Sequence, residues 1–136
     1  MRQKIILFVL LLLTFTLSFA QLERSNFWPF SGRGIDFSSG TAVVVPTYGY
    51  ILEASSAISD TAGVLQFYTN GVDVRNANNL LMPNGAGLHG CYSSAQGALV
   101  VPMPRNPDLY YIFAASCHED GYAHGATYSI VDMRLD

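Results

Sequence analysis

Charge is scarce in this sequence: only 12% of its 136 residues are Asp, Glu, Lys or Arg, while 50% are apolar. That balance excludes a disordered chain, which needs high charge and low hydrophobicity, and it favours a globular core. Basic residues are scarcest. Seven Lys and Arg face ten Asp and Glu for a formal net charge of −3, and without Arg2 and Lys4 the balance is 5 minus 10, or −5. A nucleic-acid surface is therefore disfavoured. The sequence also lacks an uninterrupted membrane-length run. The apolar stretch from Ile5 to Ala20 is broken by Thr14, Thr16 and Ser18 and falls short of the roughly 20 residues a span needs. No cysteine follows it, which argues against a lipid-modified N-terminus. Paired Cys-x-x-Cys or His-x-x-x-His units are missing as well, so no structural metal site is indicated.

What is present at the N-terminus is the tripartite pattern of a secretory signal peptide: Arg2 and Lys4, an apolar run, then Ser18-Phe19-Ala20 as a small-x-small cleavage site. Residues 1–20 are expected to be a leader, with the mature chain, residues 21–136, starting at Gln21 as one domain exported through the inner membrane. In an exported chain, Cys91 and Cys117 are expected to form a disulfide.

Sixteen Phe and Tyr, twelve Gly and six Pro point to an all-β protein. The strongest local signal runs from Ala57 to Arg75, an antiparallel meander of three short strands. Asp60-Thr61-Ala62-Gly63 reads as an Asx-type turn, and Asn70-Gly71 as a two-residue type I′ hairpin loop. Ser25 to Gly40, rich in aromatics and glycine without periodicity, is expected to be an ordered leading loop. Thr41 to Val45 reads as a strand stopped by Pro46, with Tyr48 to Leu52 as its hairpin partner. The Asn, Gly and Ser-rich connection from Asn76 to Gln96 is long enough to pass between sheets. Strands are then expected at Gly97 to Val101, Leu109 to Ala115 and Thr127 to Met133. The second of these, apolar at every position, is expected to be buried on both faces. The two strand groups look like loose copies. Each carries an aromatic strand (Phe67-Tyr68, Tyr110-Tyr111) and a Val-Asp strand (Val72-Asp73, Val131-Asp132), at a separation near the period of propeller blades.

A set of ordered blocks carries a family resemblance: Ala57-Ile58-Ser59-Asp60, Leu65-x-Phe67-Tyr68-Thr69-x-Gly71-Val72, Met82-Pro83-Asn84-Gly85-x-Gly87-Leu88, Val100-Val101-Pro102-x-Pro104-x-Asn106-Pro107-x-Leu109-Tyr110-Tyr111-Ile112-Phe113 and Tyr128-Ser129-x-Val131-Asp132-Met133. With Phe27-Trp28 and Gly34-Ile35-Asp36-Phe37, they resemble the N-terminal propeller-like region of large secreted proteins of gliding bacteria, sorted by the type IX machinery. The resemblance implies antiparallel meanders forming the first blades of a β-propeller-like domain, incomplete because four or more blades close a ring. It also implies secretion or display at the cell surface. Its partners would be an extracellular polysaccharide or protein and the remaining blades, and it supplies no catalytic residues. The two cysteines lie outside the family pattern.

Candidate chemistry weighs lightly against turn chemistry. Gly85-Ala86-Gly87-Leu88-His89-Gly90 fits a dinucleotide fingerprint, but Met82-Pro83-Asn84 is no strand and Cys91-Tyr92-Ser93-Ser94 opens no helix. His89, Cys91, Cys117 and His118 have ligand chemistry at the wrong spacing for zinc, and a Cys-His nucleophilic pair meets the same objection, because a catalytic thiol needs a base within hydrogen-bond reach and a third group to orient it. Asp36, Asp60, Asp73, Asp108 and Asp132 offer carboxylates for glycoside hydrolysis, yet Asp60, Asp108 and Asp120 sit where turns call for Asp. No catalytic, cofactor or metal residues are therefore assigned. Asp60-Thr61-Ala62 resembles a short acceptor motif for O-glycosylation at Thr61. The expected function is non-catalytic interaction or adhesion, with Trp28, Tyr92 and Tyr122, all placed in loops, as contact residues. The rival is a glycan-active enzyme whose catalytic carboxylates lie outside this sequence.

Overall fold

The computed structural model describes residues 23–135, so the expected leader and its cleavage site lie outside the described residues. Among the described residues, nine strands form three separate three-stranded antiparallel sheets, each a simple meander. The first sheet contains β1 (Phe27–Phe30), β2 (Arg33–Asp36) and β3 (Val43–Pro46); the second, β4 (Ser56–Ser59), β5 (Leu65–Thr69) and β6 (Val74–Asn76). The third contains β7 (Ala98–Pro102), β8 (Leu109–Ala115) and β9 (Ala126–Asp132). Helical backbone among the described residues is limited to three-residue 3₁₀ turns. The all-β, antiparallel expectation holds. These three sheets do not by themselves make a propeller.

The first sheet corrects the expectation of a leading loop. Phe27 and Pro29 are buried while Trp28 and Phe30 face outward, and Pro29 pairs with Gly34. The alternation is genuine, but proline and glycine stand at inward positions where an apolar side chain would have revealed it. Gly34 has to be small, since a Cβ there would lie 2.7 Å from the Phe27 ring. β3 pairs with β2 and not with Tyr48–Leu52, which is irregular connector. Pro46 ends β3 opposite Arg33, on an edge strand where the missing N–H costs no ladder bond.

The second sheet forms where the meander was expected. Asp60 Oδ1 accepts hydrogen bonds from the Ala62 and Val64 amides (2.8 and 3.0 Å), and Gly63 takes φ +83°. The other turn differs from the type I′ expectation. Gly71 has φ +84°, but Asn70 is not among the positive-φ residues, and the last pair is Thr69 with Val74. Asn70 Oδ1 instead accepts from the Val72 and Asp73 amides (3.0 and 2.7 Å), so the side chain builds a four-residue loop and Val72 lies within it. The long connection then runs beside β6. Met82 N–H donates to Val74 O, Val74 N–H to Gly85 O, Leu88 N–H to Val72 O and Gly90 N–H to Gly71 O. It thereby satisfies a sheet edge before crossing to the third sheet.

In the third sheet β8 is central, as expected, but buried on one face only. Tyr110, Ile112 and Ala114 are buried, whereas Phe113 is exposed and Tyr111 half-buried. Apolarity at every position did not mean two covered faces, because among the described residues a sheet packs against one face only. Ile58, Phe67, Val74 and Met82 pack against Val100, Tyr110 and Ile112 across the seam between the second and third sheets. On the opposite side of the second sheet, Tyr68 packs with Phe27 and Ile51, with Val45 and Ala57 alongside.

β4 thus lies between β1 and β7. It runs in the same sense as β7: a Cβ on Gly71 would touch both Ala54, just ahead of β4, and Ala98, the first residue of β7, and Ser56 Oγ accepts from the Val100 amide (3.0 Å). β1 runs the other way: a Cβ on Gly63, in the turn after β4, would lie 2.7 Å from Asn26 Nδ2, just ahead of β1, while Phe30 at the end of β1 lines a recess with Ser55 and Ser56 at the start of β4.

Candidate functional site

At the end of the molecule where β8 turns into β9, the long connection meets the polar loop 116–125. Cys91 and Cys117 are joined there (S–S 2.06 Å, Cα–Cα 5.7 Å), as the cysteine count in an exported chain led one to expect. Around the bond, the Cys91 amide donates to Ala115 O and the His124 amide to Ser116 Oγ. His89 stacks on His124 with ring centroids 4.1 Å apart. The loop is shaped by a single turn over His118–Asp120, with Asp120 Oδ1 accepting from the Cys117 amide (3.2 Å) and Gly121 closing it at φ +67°.

Tyr92 projects beside this bond. It is exposed, and its ring meets Tyr50 edge to face at 5.0 Å. Its carbonyl accepts from the Glu53 and Ala54 amides, so the connector 47–55 is fastened to the disulfide end. Farther along, Asn70 Nδ2 donates to Tyr50 O, and Arg75 lies over the Tyr48 ring, 3.3 Å from its centroid. Tyr122 sits in the loop at φ +57°, exposed, 6.0 Å from the His118 ring, with its amide on Cys117 O. A shallow groove of about 420 Å³ runs between Val72, Tyr92, Ser93, Glu119 and Asp120.

Two of the three expected contact residues, Tyr92 and Tyr122, are thus brought to one end. Trp28 is placed elsewhere and, contrary to expectation, within a strand. It stands on the outer face of the first sheet, donating Nε1–H to Ser25 O and meeting Phe37 edge to face at 5.1 Å. Thr61 is exposed at the β4–β5 turn. Sequence reasoning missed Tyr50 and the His89–His124 stack. Tyr48 and Tyr50 alternate as strand residues do, which drew attention from their role in a connector, and no spacing rule relates His89 to His124.

Four of the five candidate carboxylates, all but Asp108, are engaged by local structure. Asp36 Oδ1 accepts from the Ser38 amide, Asp60 holds its turn, and Asp73 pairs with Arg75 at 3.9 Å. Asp132 takes a bidentate contact from Arg134 (2.7 and 2.6 Å), which holds its carboxyl below the ordinary carboxylate range. Cys91, Cys117 and Glu119 lie within 4.8 Å of one another, but both sulfurs are committed to the disulfide. Among the described residues no helix is long and apolar enough to cross a membrane. No known protein family, curated protein or solved structure matches the chain.

Proposed function

We propose that the chain is a secreted or surface-displayed, non-catalytic interaction module built on propeller-like blades, binding an extracellular polysaccharide or protein through its disulfide end. The observation that carries this reading is the pairing of Tyr50 with Tyr92 on a fastened, exposed platform beside Cys91–Cys117, with Tyr122 on the adjoining loop. Aromatic rings held rigidly with one face in solvent supply apolar contact area at little conformational cost, which suits sugar rings and protein surfaces alike. A disulfide fits an oxidising, extracellular setting. The blade reading is supported by the second and third sheets, two meanders packed face to face with their first strands running in the same sense. Further blades of the same kind would continue that stack.

The test is binding of the oxidised chain to a panel of extracellular polysaccharides and to the producing cells' surface. Tyr92→Ala and Tyr122→Ala should each weaken retention by about tenfold if they contribute as interface aromatics do. Trp28→Ala, on a separate face, should have a smaller effect. Hydrolysis of a panel glycan, lost on changing a pair of Asp residues and indifferent to the tyrosines, would favour the glycan-active enzyme instead.

A further inference from the structure

The outer edge of β9 carries hydrogen-bonding groups that the fold does not use. The Ser116 amide donates to Gly125 O at one end of the β8–β9 ladder and the Met133 amide to Asp108 O at the other. Counted inward from either end, the antiparallel alternation makes Ala114 with Thr127, Ile112 with Ser129 and Tyr110 with Val131 the pairs that exchange bonds. The N–H and C=O groups of Tyr128, Ile130 and Asp132 therefore point away from the sheet, and among the described residues no strand pairs with them. Beside this edge lies a recess of about 210 Å³. Four successive residues, 129–132, line it although their side chains alternate between faces, so the recess abuts the strand's edge and not one face. Val74, Met82 and Leu88 give it an apolar wall on the side of the second sheet, and the exposed Leu135 stands at its mouth.

We propose that this edge is a docking site for an extended segment of a partner protein, which pairs with β9 as a fourth strand and delivers one large aliphatic side chain into the recess. The second sheet already contains this arrangement. Its edge strand, β6, is met by the long connection, where the Met82 amide donates to Val74 O and the Met82 side chain is buried in the seam between the sheets. The recess has Met82 on one side and β9 on the other, so a strand added to β9 sets its own inward residue against Met82. Alternating donors and acceptors are matched by another extended backbone, and a side-chain pocket adds selectivity. Other occupants fit less well. The three sheets meet by their faces and stay separate along their edges, so a further blade stacked on the outer face leaves this edge open. A second copy pairing β9 with β9 turns Thr127, Ser129 and Val131 toward the recess, because these share a face with the buried Ala114, Ile112 and Tyr110, and all three are short. The site is also distinct from the disulfide end: β9 starts beside loop 116–125, and the recess lies toward its other end.

The probes are synthetic peptides of sequence Thr-Lys-Thr-Leu-Thr-Lys-Thr, blocked at both ends, with the central leucine kept or replaced by isoleucine, methionine or serine. Added to the oxidised chain at about 1 mM, the aliphatic peptides should slow amide hydrogen exchange at Tyr128, Ile130 and Asp132 about tenfold, while Ser129 and Val131, already bonded to β8, change little. The serine peptide should bind at least about tenfold more weakly, having no apolar group to bury. N-methylation of the leucine peptide at alternate residues should abolish binding in one frame and be tolerated in the other, as main-chain pairing along one edge requires. Ser129→Phe, which fills the recess from β9, should remove the protection, and Val64→Lys, exposed in the β4–β5 turn, should leave it unchanged. Near-ultraviolet circular dichroism reports whether each variant keeps its fold, and Leu135→Lys at the mouth serves if Ser129→Phe does not. Absence of protection by every aliphatic peptide, equal binding of the serine peptide, or protection of the three amides in the free chain that grows with protein concentration, the mark of a second copy, would each overturn the proposal.

Discussion

Ile112 and Phe113 are neighbours on β8, similar in hydrophobicity, yet one is fully buried and the other 45% exposed. The two faces of the third sheet have nearly the same chemistry: Tyr110 answers Tyr111 and Ile112 answers Phe113. What separates them is the presence of a second sheet on one side. The difference teaches that apolar residues on a strand state a capacity for burial, while the layers available decide how much of it is used. The second sheet shows the capacity used twice, with Phe67 turned to the third sheet and Tyr68 to the first.

The sharpest way to break the comparison is to truncate both neighbours. Ile112→Ala should cost about 4 kcal/mol, since it opens a cavity in a fully enclosed seam, whereas Phe113→Ala should cost under about 1 kcal/mol. Urea unfolding measures both. Equal losses would mean that the outer face is covered in solution. Next in size is the disulfide. Removing it by Cys91→Ser with Cys117→Ser should cost about 3.5 kcal/mol, given a sequence separation of 26. Hydrogen exchange should quicken first in loop 116–125. Exchange that quickens equally in the first sheet would show that the bond supports the whole stack and not the disulfide end alone.

Legibility in the sequence followed the same division between capacity and layering. The meander from β4 to β6 was readable because Asp60, Gly63 and Gly71 impose chain reversal locally, and β8 was bounded correctly by Asp108 before it and Ser116 after it. The β1–β2 hairpin was hidden because Pro29 and Gly34 occupy inward positions, Gly34 yielding its space to the Phe27 ring. Burial of Phe113 was misjudged because no local pattern counts neighbouring sheets. At the candidate site, Cys91 and Cys117 were legible through chemistry and Tyr92 and Tyr122 through their loops. Tyr50 and the His89–His124 stack depend on contacts between distant segments that no local pattern contains.

Tyr68, the covered counterpart of the half-open Tyr111, gives a smaller test. Its hydroxyl accepts from the Tyr48 amide (2.9 Å) and donates to Asn79 Oδ1 (2.8 Å). Tyr68→Phe should cost about 1–2 kcal/mol, because the Tyr48 amide loses its acceptor. Burial pushes the Tyr68 phenol above its ordinary value, against the opposing pull of the Tyr48 hydrogen bond and Arg75. A raised folded-state pKa contributes stability that is fully present below the unfolded value of about 10 and lost as pH rises through the folded one. Denaturation midpoints followed above about pH 10 should therefore fall in the wild type and fall less in Tyr68→Phe. Tyr111→Phe, on the open face, should change the alkaline slope little. Identical alkaline profiles for wild type and Tyr68→Phe would show that the covered face is wetter than its packing indicates.

The smallest effect belongs to Asp132, which ends β9 on the uncovered side. Arg134 holds its carboxyl in a bidentate contact, chiefly by hydrogen bonding, and lowers its pKa. A depressed folded-state pKa contributes stability present above the unfolded value of about 4 and lost as pH falls through the folded one. The pair is solvated and only two residues apart, so solvent screening takes most of its strength, and salt should take more. Asp132→Asn should accordingly leave the thermal midpoint at pH 7 nearly unmoved and make stability slightly less sensitive to acid below about pH 4. The informative measurement is the Asp132 carboxyl titration by nuclear magnetic resonance, in wild type and in Arg134→Gln. A midpoint that stays low without the guanidinium would mean that a group other than Arg134 reaches Asp132 and holds its carboxyl.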